Sequence, residues 1–145
     1  MTIPQARAGG VVVPAEAGAE LGLLNTSIFI AQKSGRSLGA LPAEAAISVV
    51  TLAELHLGVL MADEPDVRAQ RLRTLSSVQE LFDPVSVDGP VAQAFAVIVA
   101  EARRDGRRPK IMDTWIAATA VAHDLTVFTQ DDDFRHIPQV RVTRI

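Results

Sequence analysis

Four short apolar runs, GLL at 22–24, AISVV at 46–50, LTVFT at 125–129 and VRVT at 140–143, alternate with longer stretches of helical period. No other property of the chain restricts its fold as much. AISVV is Ala and β-branched residues with Ser48 its single polar member, the composition of a strand covered on both faces. Strands joined through helices form a mainly parallel sheet with helices on both sides, so an α/β fold is expected. Such a sheet takes its ligands outside the carboxyl ends of its strands. With 145 residues and 48% hydrophobic content, the chain has enough apolar material for one domain with a sizeable core.

The helical stretches carry their own punctuation. TSIFIAQK follows the first strand directly, and Thr51 with Glu54 fits a capping box that starts a helix at Thr51. Leu72, Leu75, Val78 and Leu81 form an apolar stripe between Arg68 and Leu81. Asp88 before Gly89 and Pro90 reads as a cap, with Val91, Ala94, Phe95, Ile98, Val99 and Ala102 facing inward. Pro109 ends that helix by Arg108, and Asp113 starts the next, while DDDFRHI is a turn or short helix. Residues 1–20, rich in Ala, Gly and Pro, read as an arm with a short strand at VVV 11–13, and residues 21–145 as the compact domain.

Several chemistries are excluded. The chain has no cysteine, which removes disulfides and thiolate catalysis. No apolar run approaches the roughly 18 residues of a membrane span, and the opening segment does not read as a signal peptide. A cytoplasmic protein with no membrane association is therefore expected. His56, His123 and His136 are scattered without zinc spacing, no serine–histidine–acid set stands out, and GRSLGAL lacks the lysine and hydroxyl of a nucleotide-binding loop. Trp115 is read as packing rather than base stacking. The net charge of −3 argues against nucleic-acid binding through bulk electrostatics. The average conceals a split, however: Arg103, Arg104, Arg107, Arg108 and Lys110 lie within eight residues, and Asp131, Asp132 and Asp133 are consecutive.

Polar residues follow the strands at Asn25, at Thr51 to Glu54 and at Asp131, and Asp113 joins the same rim from the helix after the basic turn. Oxygen ligands from separate elements suit one or two Mg²⁺ or Mn²⁺ ions, which activate water and stabilise charge in phosphodiester hydrolysis. Without an ion, such acids repel one another and spread or take up a proton. Each residue also has a plainer reading. Glu54 is a metal ligand or the third member of the capping box; Asp113 is a ligand or a helix cap. In the acidic triplet Asp131 is the preferred ligand and Asp133 the second, with Asp132 facing water; otherwise the triplet is a solvated turn. Thr26 and Ser27 cap the first helix or position a metal-bound water, and Thr129 completes backbone bonding or orients phosphate. The cations at 103–110 contact RNA phosphates or simply solubilise a helix end.

Together these segments resemble the PIN-domain family, specifically the small VapC ribonuclease toxins of bacterial type II toxin–antitoxin pairs, over residues 22–143. The family's opening D-T/S-S stands here as Asn25-Thr26-Ser27. Its glutamate corresponds to Glu54 in TLAELHLGV and its third acid to Asp113 in MDTWIAATA. Its T-x-D-x-D-F ending corresponds to Thr129 through Phe134. The resemblance implies a three-layer fold with a central, mainly parallel five-stranded sheet flanked by helices. It also implies cleavage of RNA with Mg²⁺ or Mn²⁺ at Asn25, Glu54, Asp113, Asp131 and Asp133. A cognate antitoxin would cover the helices near the first acids, and the chain would form a homodimer or a toxin–antitoxin hetero-oligomer. The apolar face with Leu52, Leu55 and Val59 is a candidate for partner contact, with core burial as its plainer account.

Asn25 departs from the family's pattern. An amide keeps one oxygen ligand but loses a full charge, and an interaction worth about 3–4 kcal/mol would slow the chemical step roughly 10²–10³-fold. Two origins fit: an exchange that lets a host survive production of a working toxin, or natural loss of activity. The intact Glu54, Asp113, Asp131 and Asp133 favour the first. Two other functions compete, a non-catalytic RNA- or protein-binding member of the fold and a metal-dependent DNA nuclease or phosphatase using the same rim.

Overall fold

A computed structural model describes residues 21–33 and 35–145; the arm read at 1–20, with its strand at 11–13, lies outside them. The chain runs β1 (Leu21–Leu24), α1 (Thr26–Lys33), β2 (Glu44–Ala46), α2 (Val49–Leu60), α3 (Pro65–Leu81), α4 (Gly89–Arg104), α5 (Ile111–Ala122), β3 (Thr126–Thr129) and β4 (Val142–Arg144), with a 3₁₀ turn at Asp133–His136. The strands form one sheet in the order β2-β1-β3-β4, every pair parallel. β1 is registered on β3 through Leu23 opposite Val127 and Leu24 opposite Phe128.

Successive strand residues point to opposite faces, and this divides the core. Leu23 and Val127 pack with Ile98 and Ile116 beneath α4 and α5, whereas Leu24 and Phe128 pack with Ile28, Phe29, Leu75 and Val78 beneath α1, α2 and α3. Gly22 is required between them. A Cβ there would lie 2.5 Å from Pro42 Cγ and 2.8 Å from the Phe128 ring. Phe95 and Trp115 stack with ring centroids 3.7 Å apart, joining α4 to α5, so Trp115 is a packing residue. No helix among the described residues is long and apolar enough to cross a membrane.

Several sequence expectations shift. The sheet has four strands among the described residues, not five. A further parallel contact is reduced to the single bridge Ser48–Val85, with Val85 N donating to Ile47 O and Val49 N to Val85 O. AISVV is not a continuous strand: β2 ends at Ala46, and Ser48 Oγ accepts from Val50 N, so α2 begins at Val49. The cap of α2 is therefore Ser48, not Thr51, and Thr51 is buried inside the first turn. α5 likewise starts at Ile111 with Lys110 as its cap position, which places Asp113 third in the helix rather than at its cap. The Asp88 cap forms as read, its side chain accepting from Val91 N. The stripe on α3 is buried at Leu75 and Val78, but Leu72 is exposed. Leu55 is core and Leu52 and Val59 pack against it, so that face is turned inward; the exposed apolar residues of α2 are Val49, Leu57 and Leu60, followed by Met61.

Candidate active site

The carboxyl ends of β1 and β3 lie side by side, with Asn25 N donating to Phe128 O at 2.9 Å. The first turn of α5 and the second turn of α2 approach from either side. The cleft between them, about 360 Å³, is lined by Asn25, Thr26, Ser27, Glu54, Lys110, Asp113, Asp131 and Asp133, among others. The structure thus brings every sequence-expected ligand to one hollow. Thr129 supports it from beneath, fully buried.

Asn25 is 3% exposed. Its Nδ2 donates to Thr129 Oγ1 at 3.0 Å and Ser27 Oγ at 3.1 Å, and reaches Asp131 Oδ2 at 3.5 Å. Ser27 and Thr129 hydroxyls lie 3.1 Å apart, Ser27 Oγ accepts from Gln130 N, and Thr129 donates to Asp131 Oδ1 at 3.2 Å. Asn25 Oδ1 is buried with no hydrogen-bond partner. Leaving an acceptor in that condition costs about 1–3 kcal/mol, so the position is suited to an acceptor facing a cation or donor. Thr26 and Ser27 are not the cap that starts α1; the Asn25 carbonyl takes the first bond, from Ile28 N.

Glu54 takes neither part of the capping box. Its Oε1 accepts from Thr26 Oγ1 at 2.7 Å, and Thr26 also reaches Thr51 Oγ1 at 3.2 Å. Thr51, one turn before Glu54, is a supporting residue missed from the sequence. Its spacing of three on a helix that meets Thr26 was the available signal.

Asp113 sits opposite. Burial, followed by repulsion from Asp131, Asp133 and Glu54, pushes its carboxyl up to about 6, with Lys110 opposing the rise. Lys110 Nζ donates to Asp133 Oδ2 at 2.7 Å, and this bond together with the charge of Asp133 raises the ammonium above the ordinary lysine range. Asp132 points elsewhere: its carboxylate meets Arg144 at 3.2 Å and Arg135 at 3.7 Å, half exposed. Among the described residues, no three His, Cys, Asp or Glu side chains converge tightly enough to hold an ion. The acids are held apart by their own partners, Glu54 by Thr26, Asp131 by Thr129 and Asp133 by Lys110. The donor set nevertheless suits Mg²⁺ or Mn²⁺: it consists of carboxylates, hydroxyls and one orphaned amide oxygen, with no imidazole or thiolate in the lining.

The basic cluster divides. Arg103 and Arg104 complete the last turn of α4, exposed, whereas Arg107, Arg108 and Lys110 lie against a neighbouring hollow with His136.

The PIN domain family model matches residues 23–140. Ribonuclease VapC5 of Mycobacterium tuberculosis is 49% identical over 115 residues, covering 78% of this chain and 84% of the relative. Ribonuclease VapC4 of the same organism is 43% identical over 125 residues, covering 85% and 95%. Among solved structures, VapBC-5 from Mycobacterium tuberculosis, a member of the VapBC family of toxin–antitoxin systems, superposes with a TM-score of 0.78 at 43% identity, covering 86% of this chain and 98% of the other.

Proposed function

The chain belongs to the PIN-domain family, in its VapC group, and from that premise we propose that it is the ribonuclease toxin of a toxin–antitoxin pair. Its activity requires Mg²⁺ or Mn²⁺ and is depressed by Asn25. The observation that carries this reading is the convergence of Asn25, Glu54, Asp113, Asp131 and Asp133 on one cleft at the carboxyl ends of β1 and β3. The names of VapC5 and VapC4 support the ribonuclease assignment, and the VapBC-5 complex supports an antitoxin partner.

Glu54, Asp113 and Asp131 would hold the ion, with Asp133 at the rim and Asn25 offering its amide oxygen. The bound ion supplies a low-pKa water and neutralises charge on the phosphate oxygens. Thr26 fixes Glu54, while Ser27 and Thr129 fix residue 25 and Asp131. Asn25 alters this network in a definite way. Its NH₂ donates where a carboxylate would accept, so it reaches towards Asp131 and relieves the repulsion that an ion would otherwise have to relieve. The protein's partner is the cognate antitoxin, in a hetero-oligomer or beside a homodimer. The exposed Leu57, Leu60 and Met61 offer apolar area for such contact.

The test is Asn25→Asp. Cleavage of an RNA panel with Mn²⁺ should rise roughly 10²–10³-fold over the parent and vanish in EDTA. A variant that binds Mn²⁺ yet cuts no RNA would sink the nuclease reading. If RNA affinity proved independent of residue 25 and of metal, a non-catalytic binder would replace it. Turnover of DNA or small phosphate esters alone would move the function to a DNA nuclease or phosphatase.

A further inference from the structure

A second hollow of about 300 Å³ opens on the flank of the cleft, lined by Arg107, Arg108, Pro109, Lys110, Asp133 and His136. It shares Lys110 and Asp133 with the acidic cleft, so the two adjoin at that ion pair. The backbone that carries it is set by local chemistry. Gly106, at φ +74°, ends α4 in a Schellman turn, with Gly106 N donating to Arg103 O and Arg107 N to Ala102 O. Pro109 and the start of α5 then confine Arg107 and Arg108 to a short, braced connection.

The condition of the charges matters as much as their place. Arg135, Arg141 and Arg144 are each matched to an aspartate. Among the described residues, Arg107 and Arg108 have no ion-pair partner, nor do Arg103 and Arg104, but Arg107 and Arg108 also line this hollow, where Asp133 is already occupied by Lys110. Two guanidiniums without anions, with an imidazole beside them, match the oxygens of a phosphodiester.

We propose that this hollow seats the RNA phosphates flanking the scissile one, with Arg107 and Arg108 as the contacts and His136 as an added donor. This rests on the ribonuclease reading of the cleft and extends it by giving the strand its path out of the site. It also narrows the five-residue basic cluster, because Arg103 and Arg104 stand outside the path.

The experiment is fluorescence anisotropy of a labelled single-stranded RNA in EDTA across a salt series. The parent is compared with R107A/R108A, R107K/R108K and R103A/R104A. Both alanine pairs remove the same charge from the same segment, so a bulk-charge effect would move them equally. The expected result is that R107A/R108A loses affinity by roughly tenfold or more and its salt slope becomes shallower by about 1.4, two single-strand phosphate contacts at about 0.7 each. R107K/R108K should retain the slope, and R103A/R104A should stay within about twofold in affinity. Equal losses in the two alanine pairs, no loss in R107A/R108A, or no binding by the parent would overturn the proposal. Because metal is absent, the outcome is separate from the cleavage assay of Asn25→Asp. Binding without cleavage would condemn the chemistry and leave the path intact; cleavage with unchanged binding in R107A/R108A would do the reverse.

Discussion

The cleft and the hollow beside it are mirror images in charge. On one side Asp113 and Asp131 repel each other across the acidic cleft; on the other, Arg107 and Arg108 line a basic hollow. They meet at the Lys110–Asp133 pair, which satisfies one member of each side. At the sheet edge the same residue types behave differently. Asp132 and Asp124 are matched to Arg144 and Arg141, and their charges are locally balanced. Like charges gathered around one hollow differ from charges paired one to one along an edge, and the two regions should respond differently to substitution.

The strongest way to break this comparison is to exchange neighbours within the acidic triplet. In an Asn25→Asp background, Asp131→Asn should return cleavage to the parent's level, a fall of roughly 10²–10³-fold. Asp132→Asn should change it by about twofold at most, because exposed ion pairs contribute little. Equal effects would erase the distinction between the cleft and the edge.

Stability in the absence of metal gives a smaller effect. Asn25→Asp adds a carboxylate beside Asp131 and removes the donor that reached it, so the melting temperature in EDTA should fall by about 2–4 °C per kcal/mol of added repulsion. Mn²⁺ should restore it, and by more than it stabilises the parent. An Asn25→Asp protein as stable as the parent in EDTA would mean that the amide does not relieve Asp131.

The smallest effect concerns Asp113. Its carboxyl is raised from an ordinary 3.8 to about 6, so between about pH 4 and pH 6 the folded state binds more protons than the unfolded one. Stability from this group is therefore greatest at low pH and declines as pH rises through 6. Asp113→Asn should raise the melting temperature at pH 7.5 by about 2–4 °C, for a contribution of roughly 1 kcal/mol after solvent screening, and by less near pH 4. Mn²⁺ stabilisation should follow the opposite course in the parent, being stronger at pH 7.5 than at pH 5, because the ion competes with that proton. Thermal scans at the two pH values, with and without the ion, read both signs.

Much of the fold was legible in the chain. The apolar runs with turn and cap signals locate β1, β3 and β4 within one or two residues, and Asp88 caps α4 as its spacing implies. The boundary between β2 and α2 was not legible, because AISVV has strand composition and Thr51-x-x-Glu54 has cap spacing. The competition was decided at Ser48, whose hydroxyl caps Val50 while Val85 bonds Ile47 and Val49 from a distant segment. The candidate site followed the same rule. Residue identities and order, and the family resemblance they carry, brought Asn25, Glu54, Asp113, Asp131 and Asp133 under consideration, since short motifs of hard oxygen donors are readable locally. The preference for Asp131 and Asp133 over Asp132 was readable too; which threonine holds Glu54, and which arginines lie on the flank of the cleft, depend on residues scores of positions away. Such long-range contacts leave no periodic trace in a sequence, and they exist only once the sheet has brought β1 against β3.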